Sequence, residues 1–175
     1  MKYILSTLLF SFLLISCASS KEGSHSAASS DNTEFKNLEK GDSLFAYIRR
    51  SPCYGTCPTY EMKIYNSGFV ELSGGRFIDL LGEHTTTIAR AKMRAFIEKA
   101  TSIGYMKMDD VYDNTNITDL PATSTSIVIN DVRKSIRRRV NYPNEILAFE
   151  KLFDDLLTSE KWKMISEPEV EPQKK

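Results

Sequence analysis

Residues 125–140 alternate apolar and polar side chains on both sides of the dipeptide Asn130-Asp131, a pattern that predicts a β-hairpin. A two-residue turn at this dipeptide pairs Ile129 with Val132 across the hairpin. One face then carries the apolar residues Ile127, Ile129, Val132, Ile136 and Val140. The opposite face carries Arg133, Ser135, Arg137 and Arg139. Because one face is apolar and the other charged, the segment predicts an antiparallel sheet with one solvated face.

Other periodic segments predict further strands and two helices. Gly68 supplies a turn between two of the strands, because glycine adopts positive φ without steric cost. Apolar residues at helical spacing predict one helix that ends at Gly104 and another that Pro143 opens. The additional strand patterns cover residues 44–49, 60–65, 69–72 and 76–80. This order of elements predicts an α+β fold, an antiparallel β-sheet built from hairpins with two helices packed on one face.

The N-terminal residues have the pattern of an export signal peptide. Lys2 precedes an apolar core at residues 3–15, which is shorter than the about 20 residues that a membrane-spanning helix needs. The core ends in Leu14-Ile15-Ser16-Cys17, which resembles the bacterial lipobox. That resemblance implies cleavage before Cys17, diacylglycerol on its sulfur and an acyl chain on its new amine. The alternative is an ordinary secretory signal that is cleaved one or two residues later.

A lipid anchor sets the expected organisation of the whole chain. Ala18 stands where many inner-membrane lipoproteins carry Asp, so we expect attachment to the outer membrane of the cell envelope. The segment that follows, residues 18–40, is rich in serine, alanine and charged residues, so it buries too little apolar surface to fold. The sequence therefore predicts a lipoprotein signal peptide at 1–16, a lipid anchor and flexible tether at 17–40, a single α+β domain at 41–163 and a disordered tail at 164–175.

The charge pattern bears on possible partners. The chain has 23 basic and 23 acidic residues, so no overall positive field favours nucleic acid. Arg133, Arg137 and Arg139 form a candidate anion-binding surface; the alternative is simply the solvated face of a strand. We expect membrane lipid as a partner through Cys17, and an envelope protein or glycan as the binding partner. The sequence leaves the oligomeric state open.

Cys53 and Cys57 remain as an even pair once Cys17 is lipidated, and in an oxidising compartment such a pair forms a disulfide. The alternative is thiol-redox or copper chemistry, because Cys-x-x-x-Cys-Pro resembles the copper-site motif of thioredoxin-fold copper chaperones. Those proteins continue into a helix, whereas a strand pattern follows here. Structural zinc would need a further ligand such as His84. We expect neither a metal nor a cofactor.

Residues 50–60 read Arg-Ser-Pro-Cys-Tyr-Gly-Thr-Cys-Pro-Thr-Tyr. This segment resembles the signature Arg-x-Pro-Cys-Phe/Tyr-Gly-x-Cys-Pro-x-Tyr of an uncharacterised domain family of bacterial lipoproteins, and the resemblance extends over about residues 44–158. It implies a domain of unknown function with no assigned activity and no catalytic residues. No motif elsewhere predicts a reaction, so we expect a non-catalytic binding or structural module of the cell envelope.

Overall fold

The computed structural model describes residues 42–114, 116–117 and 120–166. The predicted signal peptide, lipid anchor and tether lie outside the described residues, as does most of the predicted tail. Within the described part, no helix is both long enough and apolar enough to cross a membrane.

The described residues form eight strands and two α-helices. The helices are α1 (Arg90–Ser102) and α2 (Ile146–Ser159), and a short 3-10 turn at Tyr105–Lys107 follows α1. The strands are β1 (Leu44–Arg50), β2 (Tyr60–Tyr65), β3 (Phe69–Gly74), β4 (Gly82–Thr87), β5 (Val111–Tyr112), β6 (Thr123–Ile129), β7 (Val132–Arg138) and β8 (Lys163–Ser166). They make one sheet in the order β5-β7-β6-β1-β2-β3-β4-β8.

The predicted fold class was wrong, because the sheet is mixed and hairpins alone do not build it. β5 runs parallel to β7, and Val111 lies opposite Arg137. β1 pairs with β6, which is distant in sequence, and β8 returns after α2 to pair with β4. These pairings depend on tertiary packing, which the local periodicity of the sequence does not predict. The predicted strand at 76–80 is a series of bends, and β8 extends the ordered chain into the predicted tail.

The hairpin of β6 and β7 has the predicted register. Ile129 lies opposite Val132, and the turn residues Asn130 and Asp131 have φ values of 50° and 62°. Two consecutive positive φ values define a type I′ turn, whose twist matches that of the flanking strands. Ile136 is buried as predicted, whereas Val132, next to the turn, is exposed.

The core lies between the sheet and the two helices. Its centre is an aromatic cluster in which Phe96 of α1 contacts Phe149 and Phe153 of α2, with ring centroids 5.8 and 4.7 Å apart. Phe45 joins this cluster through an irregularity in β1 that allows the consecutive residues Phe45 and Ala46 both to be buried. Burying a phenylalanine side chain contributes about 1.5–3 kcal/mol, so this cluster is a major part of what holds the helices to the sheet.

We predict that Asp131→Gly stabilises the domain by about 1 kcal/mol. Asp131 has φ 62°, a left-handed conformation that costs a residue with a Cβ roughly 1–2 kcal/mol and costs glycine little. Urea unfolding of the full chain measures the change. Asp131→Ala is the control, because alanine keeps the Cβ; equal stabilisation by alanine would show that φ is not the cause.

Candidate functional site

The segment between β1 and β2 is a loop closed by two cysteines. Arg50 and Tyr60 lie opposite each other at the end of the β1–β2 ladder, and residues 51–59 between them are the cysteine loop. The sulfur atoms of Cys53 and Cys57 are at disulfide distance, and their Cα atoms are 5.8 Å apart. Oxidation of this pair agrees with the disulfide that the sequence predicts.

Backbone hydrogen bonds hold the cysteine loop to its neighbours. The Ser51 amide donates to the Ala122 carbonyl at 2.9 Å, and the Thr59 amide donates to the Arg76 carbonyl at 2.9 Å. Between these two attachments Tyr54 is fully exposed, with 100% relative exposure. After Cys57, the chain enters β2 at Tyr60 and not the helix that follows the copper-site motif. The loop is thus held at both ends by hydrogen bonds and carries an exposed aromatic side chain between them.

The residues at both ends of the cysteine loop join a partly buried ionic cluster. Arg50 donates to Asp154 of α2, with Nη2 2.8 Å from Oδ2, and its Nη1 lies 3.1 Å from Oε2 of Glu150. The Tyr60 hydroxyl donates to Oδ1 of Asp154 at 2.5 Å. Burial raises the pKa of Tyr60, and the negative charge of Asp154 raises it further. The phenol therefore keeps its proton and remains a donor.

Arg138 completes the ionic cluster from β7. Its Nη2 donates to Oε2 of Glu150 at 2.5 Å, its Nε donates to Oε1, and its guanidinium lies 4.3 Å from the centroid of the Tyr142 ring. Glu150 has only 1% relative exposure, so its charge is stabilised by the two arginines and not by water. The cluster contains two guanidinium groups and two carboxylates, so its formal charges balance.

Arg138 lies two residues after Ile136, so the predicted alternation puts it on the apolar face of its strand, but the alternation does not predict its acidic partners. Glu150 and Asp154 are four residues apart and interrupt the apolar stripe of α2 beside Phe149 and Phe153. Two acids at helical spacing within an apolar stripe, together with inward-facing arginines, are the signal that could have predicted the cluster.

The candidate anion-binding residues lie on the opposite face of the sheet, where the structure brings two of the three together. Arg137 Nη1 donates to Oδ2 of Asp113 at 2.5 Å, and Arg139 Nη1 donates to Oδ1 at 3.2 Å. The hydrogen bond from Arg137 lowers the pKa of Asp113, and the charge of Arg139 lowers it too, so the carboxylate stays ionised. Arg133 does not contact Asp113 and lines an adjoining groove, to which Arg137 also contributes.

This outer groove is open to solvent and has a volume of about 680 Å³. It crosses β2, β1, β6 and β7 on the face opposite the helices. Its polar lining includes Tyr47, Lys63, Ser126, Arg133 and Ser135. Burial raises the pKa of Tyr47, and the charge of Glu61, with which the phenol is hydrogen-bonded, adds to the effect, so the phenol keeps its proton.

His84, the histidine considered for a zinc site, is buried in β4, where its Nδ1 lies 3.3 Å from the Gly82 carbonyl oxygen. In the part of the chain that the structure describes, no group of three or more His, Cys, Asp or Glu residues is arranged to hold a metal ion.

We predict that Glu150→Gln destabilises the domain by about 3–5 kcal/mol, because it leaves two partly buried arginines without the negative charge they share at a buried position. Chemical denaturation of the full chain gives the difference in the free energy of unfolding. Asp155→Asn is the matched control on the same helix, since Asp155 makes an exposed pair with Lys151 and its loss should cost less than about 1 kcal/mol. Similar losses for both variants would contradict a buried cluster.

A family described as a domain of unknown function (DUF6438) matches residues 45–157. The match covers both helices except the last two residues of α2, the cysteine loop and the outer groove. No curated protein matches the chain.

Proposed function

The chain belongs to this family of unknown function, and we propose that it is a lipid-anchored lipoprotein of the cell envelope whose domain binds a protein or glycan without catalysis. The lipobox-like segment that ends in Cys17 supports the anchor, and Ala18 supports the outer membrane as its location. The resemblance of residues 50–60 to a lipoprotein family signature agrees with this assignment.

The observation that carries the binding role is the open groove on the outer face of the sheet. The helices pack on the other face, so this surface is available along four adjacent strands. Tyr47 offers an aromatic surface, Lys63 and Arg133 offer positive charge, and the serines offer hydroxyl groups. Tyrosine and arginine are the residues that binding surfaces favour, because both combine a large contact area with directed hydrogen bonds.

The ionic cluster supports a structural role for the residues that would otherwise suggest catalysis. Arg50, Glu150 and Asp154 are matched to one another, and Tyr60 is held as a donor to Asp154. A catalytic acid or base must exchange a proton with a substrate, whereas these groups hold α2 against the sheet. The outer groove, which carries unburied donors, is the better candidate for contact with a partner.

For the anchor, we predict that Cys17→Ala transfers the protein from the membrane fraction to the soluble fraction of the envelope, because stable attachment needs the acyl chains. Fractionation and immunoblotting measure the distribution. Cys53→Ala is the control, since it removes a thiol without removing the lipid. A Cys17→Ala protein that remained in the membrane fraction would contradict the lipoprotein assignment.

For the binding surface, we predict that Lys63→Glu and Arg133→Glu reduce the recovery of a crosslinked partner from intact envelopes at least about tenfold, the factor expected for about 1.4 kcal/mol of lost affinity. Quantitative mass spectrometry of the captured material measures recovery. Arg94→Glu on α1 makes the same charge change away from the groove and should leave recovery unchanged. If all three variants capture the same material equally, the groove is not the binding surface.

A further inference from the structure

A second depression lies beside the outer groove, and strand register explains how it forms. Arg49 of β1 lies opposite Ser124 of β6, and Ser124 lies opposite Arg137 of β7. The three side chains therefore form one row across adjacent strands on the outer face. A small hydroxyl group occupies the middle of this row, with a long cationic side chain on each side.

The next positions on the same face carry Ser51 and Ala122, two small residues, with Arg139 on one side. Ser51 and Ala122 are joined by two hydrogen bonds, from the Ser51 amide to the Ala122 carbonyl at 2.9 Å and from the Ala122 amide to Ser51 Oγ at 2.7 Å. Arg139 lies beyond the end of β7 and donates to the Leu120 carbonyl at 3.3 Å. Small residues thus form a floor between arginines. The resulting arginine pocket has a volume of about 430 Å³ and is lined by Arg49, Ser51, Leu120, Ala122, Ser124, Arg137 and Arg139.

The dimensions of the arginine pocket suit a small oxyanion. Neighbouring strands lie about 4.7–4.9 Å apart, so the backbones that carry Arg49 and Arg137 are separated by about 10 Å. Long side chains that lean inward from these positions can reach the same small group above Ser124. Arginine donors arranged around such a gap favour an anion with several oxygens, because each guanidinium can donate two parallel hydrogen bonds.

The arginines differ in how firmly they are held. Arg139 is fixed by Asp113 and by the Ile117 carbonyl, to which its Nη2 donates at 2.8 Å, and its side chain has 13% relative exposure. Arg137 also contacts Asp113 but is 46% exposed. Arg49 is 66% exposed; it contacts the Tyr47 phenol, and its Nε lies 3.9 Å from Oε2 of Glu61, which is too long for a hydrogen bond. Arg49 and Arg137 can therefore turn toward a ligand while Arg139 stays in place.

We propose that the arginine pocket binds the phosphate group of a ligand. Arg49 and Arg137 hold its oxygens from opposite sides, and the Ser124 hydroxyl donates from the floor. The site differs from the surface that sequence reasoning selected, because it includes Arg49 and excludes Arg133. The pocket adjoins the outer groove and shares Ser124 and Arg137 with it, but phosphate binding there does not require the partner proposed for that groove. The phosphate group can belong to a soluble compound or to a lipid headgroup, since both present the same oxygens.

The first test titrates the full-length Cys17→Ala chain with inorganic phosphate at constant ionic strength and follows backbone amide shifts by NMR. We expect saturable shifts at Ser124 and its neighbours, and about tenfold weaker binding in Arg49→Ala and in Arg137→Ala, the factor that corresponds to one lost charge-assisted contact. Arg133→Ala is the matched control: it lies on the same strand and the same face, removes the same charge, and does not line the pocket. It should change the affinity by less than about twofold.

A further variant tests whether phosphate binding depends on the shape of the pocket or only on the positive charge of the surface. Ser124→Val fills the floor without changing any charge, and valine is well suited to a strand. We expect it to weaken phosphate binding as strongly as the arginine variants while the thermal unfolding temperature stays close to that of the parent chain. Loss of affinity with an unchanged fold would support the pocket, whereas unchanged affinity would overturn it.

The second test identifies the source of the phosphate. The same chain is sedimented with phosphatidylcholine vesicles that contain or lack phosphatidylglycerol. Binding that requires phosphatidylglycerol, is displaced by inorganic phosphate and is lost in Arg137→Ala assigns the site to a lipid headgroup. Phosphate binding without this vesicle dependence assigns it to a soluble compound. The proposal is overturned if phosphate produces no saturable shifts, or if Arg133→Ala weakens binding as much as Arg137→Ala.

Discussion

The contact on which the fold depends is the ionic cluster that joins α2 to the sheet around the buried carboxylate of Glu150. Arg50, Thr123 and Arg138 lie opposite one another on β1, β6 and β7, and Tyr60 extends this row onto β2. Arg50, Tyr60 and Arg138 thus bring three of these strands to the two carboxylates of one helix. Thr123, on the remaining strand, accepts a hydrogen bond from Arg50. If α2 moved by one turn, a buried charge would lose its partner, which costs several kcal/mol. The aromatic cluster holds the helix against the sheet, and the ionic cluster determines its position along the strands.

The same cluster explains the construction of the cysteine loop. Arg50 and Tyr60 immediately flank the loop, and both bind the same carboxylate of α2. The loop therefore starts and ends at fixed points, and the cysteine pair closes the short span between them. Little conformational freedom remains for its backbone, although Tyr54 at its tip is fully exposed. An aromatic side chain on such a rigid support loses little entropy when it is covered.

The sequence predicted what depends on neighbouring residues and missed what depends on distant ones. The register of β6 and β7 was predictable because the turn at Asn130-Asp131 is local and the side-chain period is two. β5 and β8 were not, because they contain only 2 and 4 residues and acquire their partners from the rest of the fold. Within the candidate sites, the cysteine pair was predictable from its spacing. Arg49 was missed because its position across Ser124 from Arg137 depends on the pairing of β1 with β6.

The consecutive arginines on β1 and on β7 bear on how uniquely the strand register is determined. Arg49-Arg50 and Arg137-Arg138 are consecutive pairs in which one member faces α2 and the other faces solvent. If β7 slipped by one residue, Arg137 would replace Arg138 opposite Glu150, and the charge there would be unchanged. The ion pair with Glu150 alone therefore does not distinguish the two alignments. The distinction is made by Ile136, whose apolar side chain would be driven into water, and by the two left-handed residues of the turn.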